Sequence, residues 1–255
     1  AYGGRSAVLP NTVAERLPDS LGLGTQKGGT TTLHQLLGLH PDVHLPDRKE
    51  VHYFDLQPEQ PASWYAEQFS SARPGQHCGE ITPFYLFHPE VPARIRALLP
   101  EAKLLVLLRD PVERALSQVF HARKRGFERL EPAAAIAAED RRLASGDPEC
   151  LQKHSYVARS RYLEQLERYD ALFPAHQLLV MQSEALFQNP EPVWQRLQDF
   201  LGLTPVPLPE VMPRANAGDA HARDVDPDLR KQLRRLLTTT AEGVRERYGF
   251  GWDWS

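Results

Sequence analysis

The sequence contains little cysteine: two residues, Cys78 and Cys150, in a chain of 255. Two cysteines cannot by themselves form a disulfide framework or a zinc site with four thiolate ligands. The sequence leaves open whether the two pair with each other. This scarcity argues against the disulfide-rich secreted domains and the cysteine-rich zinc modules, and we predict no metal site.

The sequence also lacks a strong net charge and a long apolar run. Its formal net charge is −3 at pH 7, so the whole molecule has no obvious attraction to nucleic acid or to an anionic membrane surface. No apolar run reaches the roughly 20 residues that a membrane-spanning helix needs. We therefore expect neither nucleic acid nor membrane as a partner.

The first residues, AYGGR, do not resemble a signal peptide and do not begin with Met, so we expect a trimmed N-terminus. We expect a cytoplasmic enzyme of bacterial type, and a luminal catalytic domain cut from a membrane anchor is the alternative. Oligomeric state is left undetermined by the sequence.

Apolar segments of strand length alternate with segments of helical periodicity along the chain. This alternation is typical of a parallel sheet covered on both faces. We predict an α/β protein with a P-loop-like three-layer fold, in which a central parallel sheet is flanked by helices. Residues 1–255 form one domain, with residues 1–18 as a lead-in and a polar loop and helix over residues 203–255. The spacing of Tyr162, Leu166 and Tyr169 predicts an amphipathic helix over residues 156–173.

A glycine-rich segment near the N-terminus has the pattern of an anion-binding turn. Residues 20–37 indicate a short strand, a turn and a helix, with the sequence SLGLGTQKGGTTTLHQLL. Glycine lets the backbone approach a ligand closely, and the unpaired N–H groups of the first helical turn point towards that ligand. The segment therefore predicts an anion site at the start of a helix.

This segment has the glycine spacing of the P-loop of nucleotide hydrolases, G-x-x-x-x-G-K-[ST], but differs at one position. Gly24, Gly29 and Thr31 match, whereas Thr30 occupies the lysine position. The nearby lysine, Lys27, lies inside the turn. A phosphate cradle without the lysine that serves a β/γ-phosphate argues against an ordinary ATPase or kinase. The alternative is a tight glycine turn that binds nothing.

A second strand–turn–helix unit spans residues 103–117. Asp110 followed by Pro111 is a good N-cap and first-turn pair, so a helix starts there. Arg109 lies at the carboxyl end of the strand, where ligands bind in open α/β sheets, and Ser117 follows in the helix. Arg109 and Ser117 could bind a phosphate together. The alternative is that Arg109 caps carbonyls or pairs with Glu113 and that Ser117 is merely exposed.

Titratable groups are concentrated in residues 47–55. Glu50 and His52 are two residues apart, so an extended backbone would place both side chains on one face. A carboxylate beside an imidazole could act as general base and helper on a substrate hydroxyl. The alternative is a solvated loop beside a buried Tyr53–Phe54 pair.

Taken together, these segments resemble the sulfotransferases that use 3′-phosphoadenosine 5′-phosphosulfate (PAPS), closest to the heparan sulfate sulfotransferase-like branch. The glycine-rich turn resembles the 5′-phosphosulfate loop of that family. Residues 49–54, KEVHYF, resemble its K-E-x-H-[FY]-F segment, and residues 109–117 resemble its 3′-phosphate segment, R-[DN]-P-x-x-R-x-x-S. Weaker matches bring the coverage to most of residues 20–202.

The resemblance implies a PAPS-dependent O-sulfotransferase that acts in line, without a metal, and releases adenosine 3′,5′-bisphosphate. It implies Glu50 as general base with His52 beside it, and Lys27 on the bridging and sulfuryl oxygens. The residues that it implies for the 5′-phosphate are Gly28, Gly29, Thr30, Thr31 and Thr32, and those for the 3′-phosphate are Arg109 and Ser117.

Two departures from the heparan-type pattern bear on the acceptor and on the C-terminal segment. The motif E-K-[ST]-P-x-Y of many such members is EITPFY here, with Ile81 at the lysine position, and their cysteine-bracketed segment with K-G-R is absent. Arg223, with Asn216, is the candidate replacement on the 3′-phosphate, and we expect residues 203–255 to close the cofactor site. We expect a small-molecule or saccharide hydroxyl as acceptor in preference to a long polyanion.

Two other classes of function fit parts of the sequence. A P-loop kinase-like phosphotransferase predicts a lysine at position 30 and a magnesium-binding acidic strand end, and the sequence shows neither. A non-catalytic nucleotide-binding module would keep Arg109 and Ser117 but would have no need of Glu50.

Overall fold

A computed structural model of the chain describes residues 15–214 and 224–254. Within these ranges, short 3₁₀ turns lie at Ala158–Ser160 and Ala175–Gln177. The strands and α-helices, in chain order, are β1 Ser20–Gly24, α1 Thr30–Gly38, β2 Val43–His44, α2 Tyr53–Leu56, α3 Ala62–Glu67, β3 His77–Ile81, α4 Val91–Leu98, β4 Lys103–Leu108, α5 Pro111–Lys124, α6 Pro132–Ala144, α7 Pro148–Lys153, α8 Tyr162–Asp170, β5 Leu178–Gln182, α9 Ser183–Gln188, α10 Pro190–Leu201 and α11 Pro227–Tyr248.

Strand β1 lies in the middle of a sheet whose order is β2–β3–β1–β4–β5, and every neighbouring pair is parallel. The connection after β1 leads towards β2 on one side, whereas the connection after β4 leads to β5 on the other. In open α/β sheets, such a reversal between adjacent strands leaves a crevice at their carboxyl ends. The glycine-rich turn after β1 and Arg109 after β4 both lie at this edge of the sheet.

Helices cover both faces of the sheet. This burial on both faces explains the continuous apolar run of β4. Leu104, Val106 and Leu108 belong to a core with α4, α8 and α11. Leu105 and Leu107 belong to a core on the opposite face with α1, α9 and α10. Because successive strand residues point to opposite faces, a strand buried on both faces needs an apolar residue at every position. The predicted α/β class, with a parallel sheet flanked by helices, is confirmed.

The helix predicted over residues 156–173 is shorter than expected. A 3₁₀ turn at Ala158–Ser160 precedes α8. The N–H groups of Val157 and Ala158 each donate to the Glu139 carboxylate at 2.8 Å, and the Tyr156 carbonyl accepts from the Arg114 guanidinium. In a continuous helix the Tyr156 carbonyl would accept from the N–H four residues later, but Arg114 takes it instead, and the regular helix begins at Tyr162.

Cys78 and Cys150 are both free thiols, and Cys78 is buried. Within residues 15–214 and 224–254, none of the helices combines the length and the apolar character needed to cross a membrane. Helix α11 packs against α5 and α8. Part of the segment 203–255 lies outside the described residues, so its closure of a cofactor site stays a prediction.

Candidate active site

The glycine-rich turn joins β1 to α1 and leaves the start of α1 open. Gly29 is the N-cap, with φ +88°, and has no side chain with which to cap the helix. Thr25 ties the turn to β4, because its N–H and its hydroxyl both donate to the Leu107 carbonyl, at 2.9 and 3.0 Å. The first N–H groups of a helix have no partner within the helix, so this start is available to an anion.

Two positions of this turn require glycine because neighbouring atoms lie too close to admit a Cβ. A Cβ on Gly28 would lie 2.3 Å from Thr25 Oγ1 and 3.1 Å from the Leu107 carbonyl. A Cβ on Gly29 would lie 3.0 Å from the Phe187 ring and would also be strained by the positive φ. The turn therefore packs so closely against the sheet and α9 that neither position has room for a side chain.

A cavity of about 670 Å³ lies at the start of α1, which is within the usual size of small-molecule sites. The cavity is basic although the chain has a net charge of −3, and such a lining favours an anionic ligand. The predicted site residues that line it are Lys27, Gly29, Thr30, Thr31, Glu50, Arg109 and Ser117. Its charged lining residues are Lys27, Lys49, Arg109, Arg125 and Arg214, with Glu50 and Glu184.

Besides His52, which lines a smaller adjoining cavity, four predicted site residues are not placed in this lining. The N–H of Gly28 donates to the Thr25 carbonyl at 3.0 Å, and the Thr32 side chain is fully buried in α1. Arg223 and Asn216 lie outside the described residues. The roles implied for these four residues stay predictions.

Arg109 links the second strand–turn–helix unit to the first. Its Nη1 donates to the Lys27 carbonyl at 3.0 Å, and its own carbonyl accepts from the Tyr162 hydroxyl at 2.7 Å. Glu113 pairs with Arg230 of α11 and not with Arg109. Ser117 is buried and not exposed. The arrangement leaves Arg109 and Ser117 together on the wall of the large cavity.

Glu50 and His52 lie together, although the expected extended backbone is wrong. Both residues have positive φ, +60° and +57°, and the segment turns into α2. The N–H groups of His52 and Tyr53 donate to the hydroxyls of Thr82 and Tyr85, which hold the turn in place of strand pairing. His52 Nε2 lies 3.5 Å from Glu50 Oε2, and His52 Nδ1 lies 2.9 Å from Asp55 Oδ2.

The charges around Glu50 favour its ionised form. Lys49 Nζ lies 3.3 Å from Glu50 Oε1 and 2.5 Å from Thr31 Oγ1. Burial alone would raise the pKa of Glu50, but the hydrogen bond from His52 and the charge of Lys49 outweigh it and lower that pKa. Burial opposes charge on His52 as well, yet the bonds to Asp55 and Glu50 raise the pKa of His52 to about 9. At neutral pH an imidazolium therefore lies between two carboxylates.

A smaller cavity, of about 180 Å³, adjoins the first. Part of its wall is apolar, with Phe84 and Phe127, and part is polar, with Gln118 and Arg159. The residues that line both cavities are Gln26, Glu50, Pro83 and His121. Glu50 therefore lies where the large basic cavity and the small mixed cavity meet.

Sequence reasoning left the neighbours of Glu50 without a role. Asp55 holds the far side of His52, and its position three residues after His52 at the start of a helix was a usable signal. Lys49 contacts both Glu50 and Thr31, and its match to the lysine of the K-E-x-H-[FY]-F segment was the signal for it.

Two buried arginines were also missed. Arg159 Nη1 donates to Gln26 Oε1 at 2.7 Å, and its guanidinium lies 4.5 Å from the centre of the Phe84 ring. Arg114 Nη1 lies 3.4 Å from the Gln26 carbonyl. Gln26 is separated from these arginines by 133 and 88 residues, so no local pattern could have indicated either contact.

Comparison with known proteins points to one family. A family model described as "Sulfotransferase domain" matches residues 17–214. Human heparan sulfate glucosamine 3-O-sulfotransferase 3A1 is 32% identical over 200 residues, which cover 78% of this chain and 48% of that protein. Human heparan sulfate glucosamine 3-O-sulfotransferase 6 is 35% identical over 188 residues, which cover 74% of this chain and 53% of that protein.

A solved structure agrees with these matches. A sulfotransferase from Alicyclobacillus acidocaldarius superimposes with a TM-score of 0.77 at 27% identity, covering 91% of this chain and 95% of that one. By contrast, the chain spans about half the length of the two human relatives.

Proposed function

Because this chain belongs to the sulfotransferase domain family, we propose that it transfers a sulfuryl group from PAPS to a hydroxyl of a saccharide or small-molecule acceptor. The observation that carries the proposal is the position of Glu50, an ionised carboxylate, between a large basic cavity and a small mixed one. The chain matches only about half of each human relative.

The large cavity suits the sulfuryl donor. PAPS carries an activated sulfuryl group on its 5′-phosphate and a second phosphate on its 3′-oxygen. The open start of α1, with Gly29, Thr30 and Thr31, would hold the 5′-phosphate as helix starts hold other anions. Arg109 and Ser117 would hold the 3′-phosphate, and Arg109 is tied to the turn through the Lys27 carbonyl.

The acceptor hydroxyl would be activated by Glu50. As the acceptor oxygen forms its bond to sulfur, Glu50 takes the hydroxyl proton, and the bond between sulfur and the phosphate oxygen of PAPS breaks. Lys27 stabilises the charge that develops on that leaving oxygen. A carboxylate with a lowered pKa is a weak base, so it takes the proton late, once the new bond to sulfur has made the hydroxyl acidic.

The small cavity suits the reacting end of the acceptor. Its volume of about 180 Å³ is close to that of an engineered cavity of about 150 Å³ that binds benzene, so it holds one ring. Phe84 and Phe127 offer apolar faces, and Gln118 and Gln152 offer hydrogen bonds. We infer that one hydroxyl-bearing ring of the acceptor enters here and presents its oxygen to Glu50.

Replacement of Glu50 with Gln tests the assignment. The variant should lose transfer of labelled sulfate from PAPS while binding adenosine 3′,5′-bisphosphate with unchanged affinity in calorimetry. Loss of binding together with transfer would make Glu50 structural. A screen of labelled PAPS against phenols, monosaccharides and heparosan oligosaccharides identifies the acceptor class.

Calorimetry also separates this reaction from the kinase alternative. Adenosine 3′,5′-bisphosphate should bind well without magnesium, because Arg109 and Ser117 meet its 3′-phosphate, and ATP should bind poorly. Tighter binding of ATP than of the bisphosphate would contradict the proposal.

A further inference from the structure

The segment EITPFY contains a buried carboxylate that the proposed reaction does not use. Glu80, in β3, is 2% exposed. Its Oε1 accepts from the hydroxyls of Tyr65 and Tyr85, each at 2.7 Å, and its Oε2 accepts from the Thr82 hydroxyl at 2.8 Å. A carboxyl group placed in the core without an arginine or lysine partner is costly unless hydrogen bonds satisfy it, and here three hydroxyls do so.

Two of these hydroxyls also bind the turn that carries Glu50 and His52. The Tyr85 hydroxyl accepts from the N–H of Tyr53 at 2.9 Å and from the N–H of Phe54 at 3.4 Å. The Thr82 hydroxyl accepts from the N–H of His52 at 3.4 Å. These are three consecutive N–H groups at the start of α2, where a helix has no internal partners. The His52 side chain makes no capping bond of its own, so the segment that follows β3 supplies the caps.

We propose that Glu80 is a positioning residue for the reaction: through the hydroxyls of Thr82 and Tyr85 it holds the left-handed turn that places Glu50 between the two cavities, with His52 beside it. The inference rests on the proposed function, in which Glu50 is the base. It assigns a role to three residues of the segment, Glu80, Thr82 and Tyr85.

The carboxylate matters because a hydroxyl has one hydrogen. The Tyr85 and Thr82 hydroxyls each donate their hydrogen to an oxygen of Glu80. The hydroxyl oxygen is then left with its lone pairs towards the N–H groups of residues 52–54. An amide in place of the carboxylate would donate to one of these hydroxyls and reverse the direction of that bond.

Tyr65 and Tyr85 form a matched pair for the test. Both are fully buried, and each donates to Glu80 Oε1 at 2.7 Å, but only Tyr85 bonds to the turn. We expect Tyr85→Phe to lower kcat about 10- to 100-fold, because small displacements of a reacting group have effects of that size. Its affinity for adenosine 3′,5′-bisphosphate and its acceptor KM should change less than about threefold. Tyr65→Phe should keep kcat within about threefold of the wild-type value, although its loss of thermal stability should be similar to that of Tyr85→Phe.

A second pair of variants, at Thr82, tests the inference even if the tyrosine variants fail to fold. Thr82→Val removes the hydroxyl and keeps the shape, whereas Thr82→Ser keeps the hydroxyl. We expect the valine variant to lose kcat about tenfold, as for other misplaced reacting groups, and the serine variant to retain it. Glu80→Gln should resemble Thr82→Val, because the amide reverses one of these bonds.

Equal losses of kcat in Tyr65→Phe and Tyr85→Phe, or an unchanged kcat in both Tyr85→Phe and Thr82→Val, would overturn the inference. Failure of the proposed function itself gives a different pattern. In that case Glu50→Gln retains full transfer, or the wild-type protein binds no adenosine 3′,5′-bisphosphate.

Discussion

The protein has two strand–turn–helix units at the same edge of its sheet, and their helix starts differ. The N-cap of α1 is Gly29, which has no side chain. The N-cap of α5 is Asp110, whose Oδ1 accepts from the N–H groups of Val112 and Glu113 at 2.9 and 3.2 Å. Pro111 has no N–H to satisfy. The first start is open, and the second is capped by its own chain.

Further contacts enlarge this difference. Trp254 Nε1 donates to Asp110 Oδ2 at 2.8 Å, and Trp252 Nε1 donates to Glu184 Oε2 at 3.0 Å. Glu184 Oε1 in turn accepts from the N–H of Asp110 at 2.8 Å. The start of α5 is thus covered, whereas the start of α1 lines a cavity of about 670 Å³.

The comparison shows two ways in which one motif can serve a ligand. An open helix start offers its backbone N–H groups, which bind an anion directly. A capped start gives a rigid support, and the residues on either side of the cap, here Arg109 and Ser117, offer side chains. In the proposed function, the backbone of α1 holds the 5′-phosphate, and side chains carried by β4 and α5 hold the 3′-phosphate.

The largest expected effect is on nucleotide affinity, and it comes from a substitution that moves the turn at the open start of α1. In Gly28→Ala, the new Cβ would lie 2.9 Å from the Thr25 carbonyl and 3.1 Å from the Leu107 carbonyl, so the turn must move. We expect the affinity for adenosine 3′,5′-bisphosphate in calorimetry to fall about 100-fold, the scale of a displacement of about 1 Å. Gly38→Ala at the other end of α1 is the control, since its Cβ meets Leu45 at 3.9 Å. Equal affinities in the two variants would show that the turn is not the anion site.

The second effect is also on nucleotide affinity, and it tests the side chains beside the capped start of α5. Arg109→Gln should weaken binding of adenosine 3′,5′-bisphosphate about 10- to 100-fold, the range for a charged hydrogen bond. Adenosine 5′-monophosphate, which has no 3′-phosphate, should lose much less. Arg123→Gln, which breaks an exposed pair with Glu131, should change neither affinity. If both nucleotides weaken equally in Arg109→Gln, Arg109 only supports the turn.

Removal of the cap on α5 should affect stability more than binding. Asp110→Ala leaves the N–H groups of Val112 and Glu113 without their acceptor, and we expect a loss of about 1 kcal/mol in the free energy of unfolding. Denaturant titration measures it. Asp110→Asn retains the cap through Oδ1 and loses only the bond from Trp254 to Oδ2, so it is the control for the cap. Nucleotide affinity should change only a few-fold in either variant. A large loss of affinity in Asp110→Ala at unchanged stability would contradict this division.

The smallest effect is a pH dependence of the capped start. Burial raises the pKa of Asp110 above its usual 3.8, more than its hydrogen bonds from Trp254 and Val112 lower it. Between 3.8 and the raised pKa, the folded state binds more protons than the unfolded state. The stability from this group is therefore present below pH 3.8 and is lost as pH rises through the raised pKa. The wild type should therefore lose stability relative to Asp110→Asn over that interval in thermal melts. The opposite sign would show that the cap stabilises the ionised form.

The sequence predicted both strand–turn–helix units, because their signals are local. An apolar run, a glycine string and an Asp-Pro pair each act within a few residues. It also predicted that Glu50 and His52 lie together, but from an extended backbone. The left-handed φ of both residues was not predictable, because residues other than glycine rarely adopt it. It is held by hydroxyls that lie 30 or more residues away along the chain.

The sequence by itself determined the layered α/β fold, the open glycine start of α1 and the capped start of α5, since these depend on spacing and on residue chemistry within one segment. Only the tertiary structure decided what those starts face. Packing of β1 beside β4 brings Arg109 to the Lys27 carbonyl. Hydrogen bonds from the turn of residues 50–54 to Thr82 and Tyr85, just after β3, set Glu50 between two cavities. Contacts between distant segments depend on the folded chain as a whole, and no local pattern encodes them.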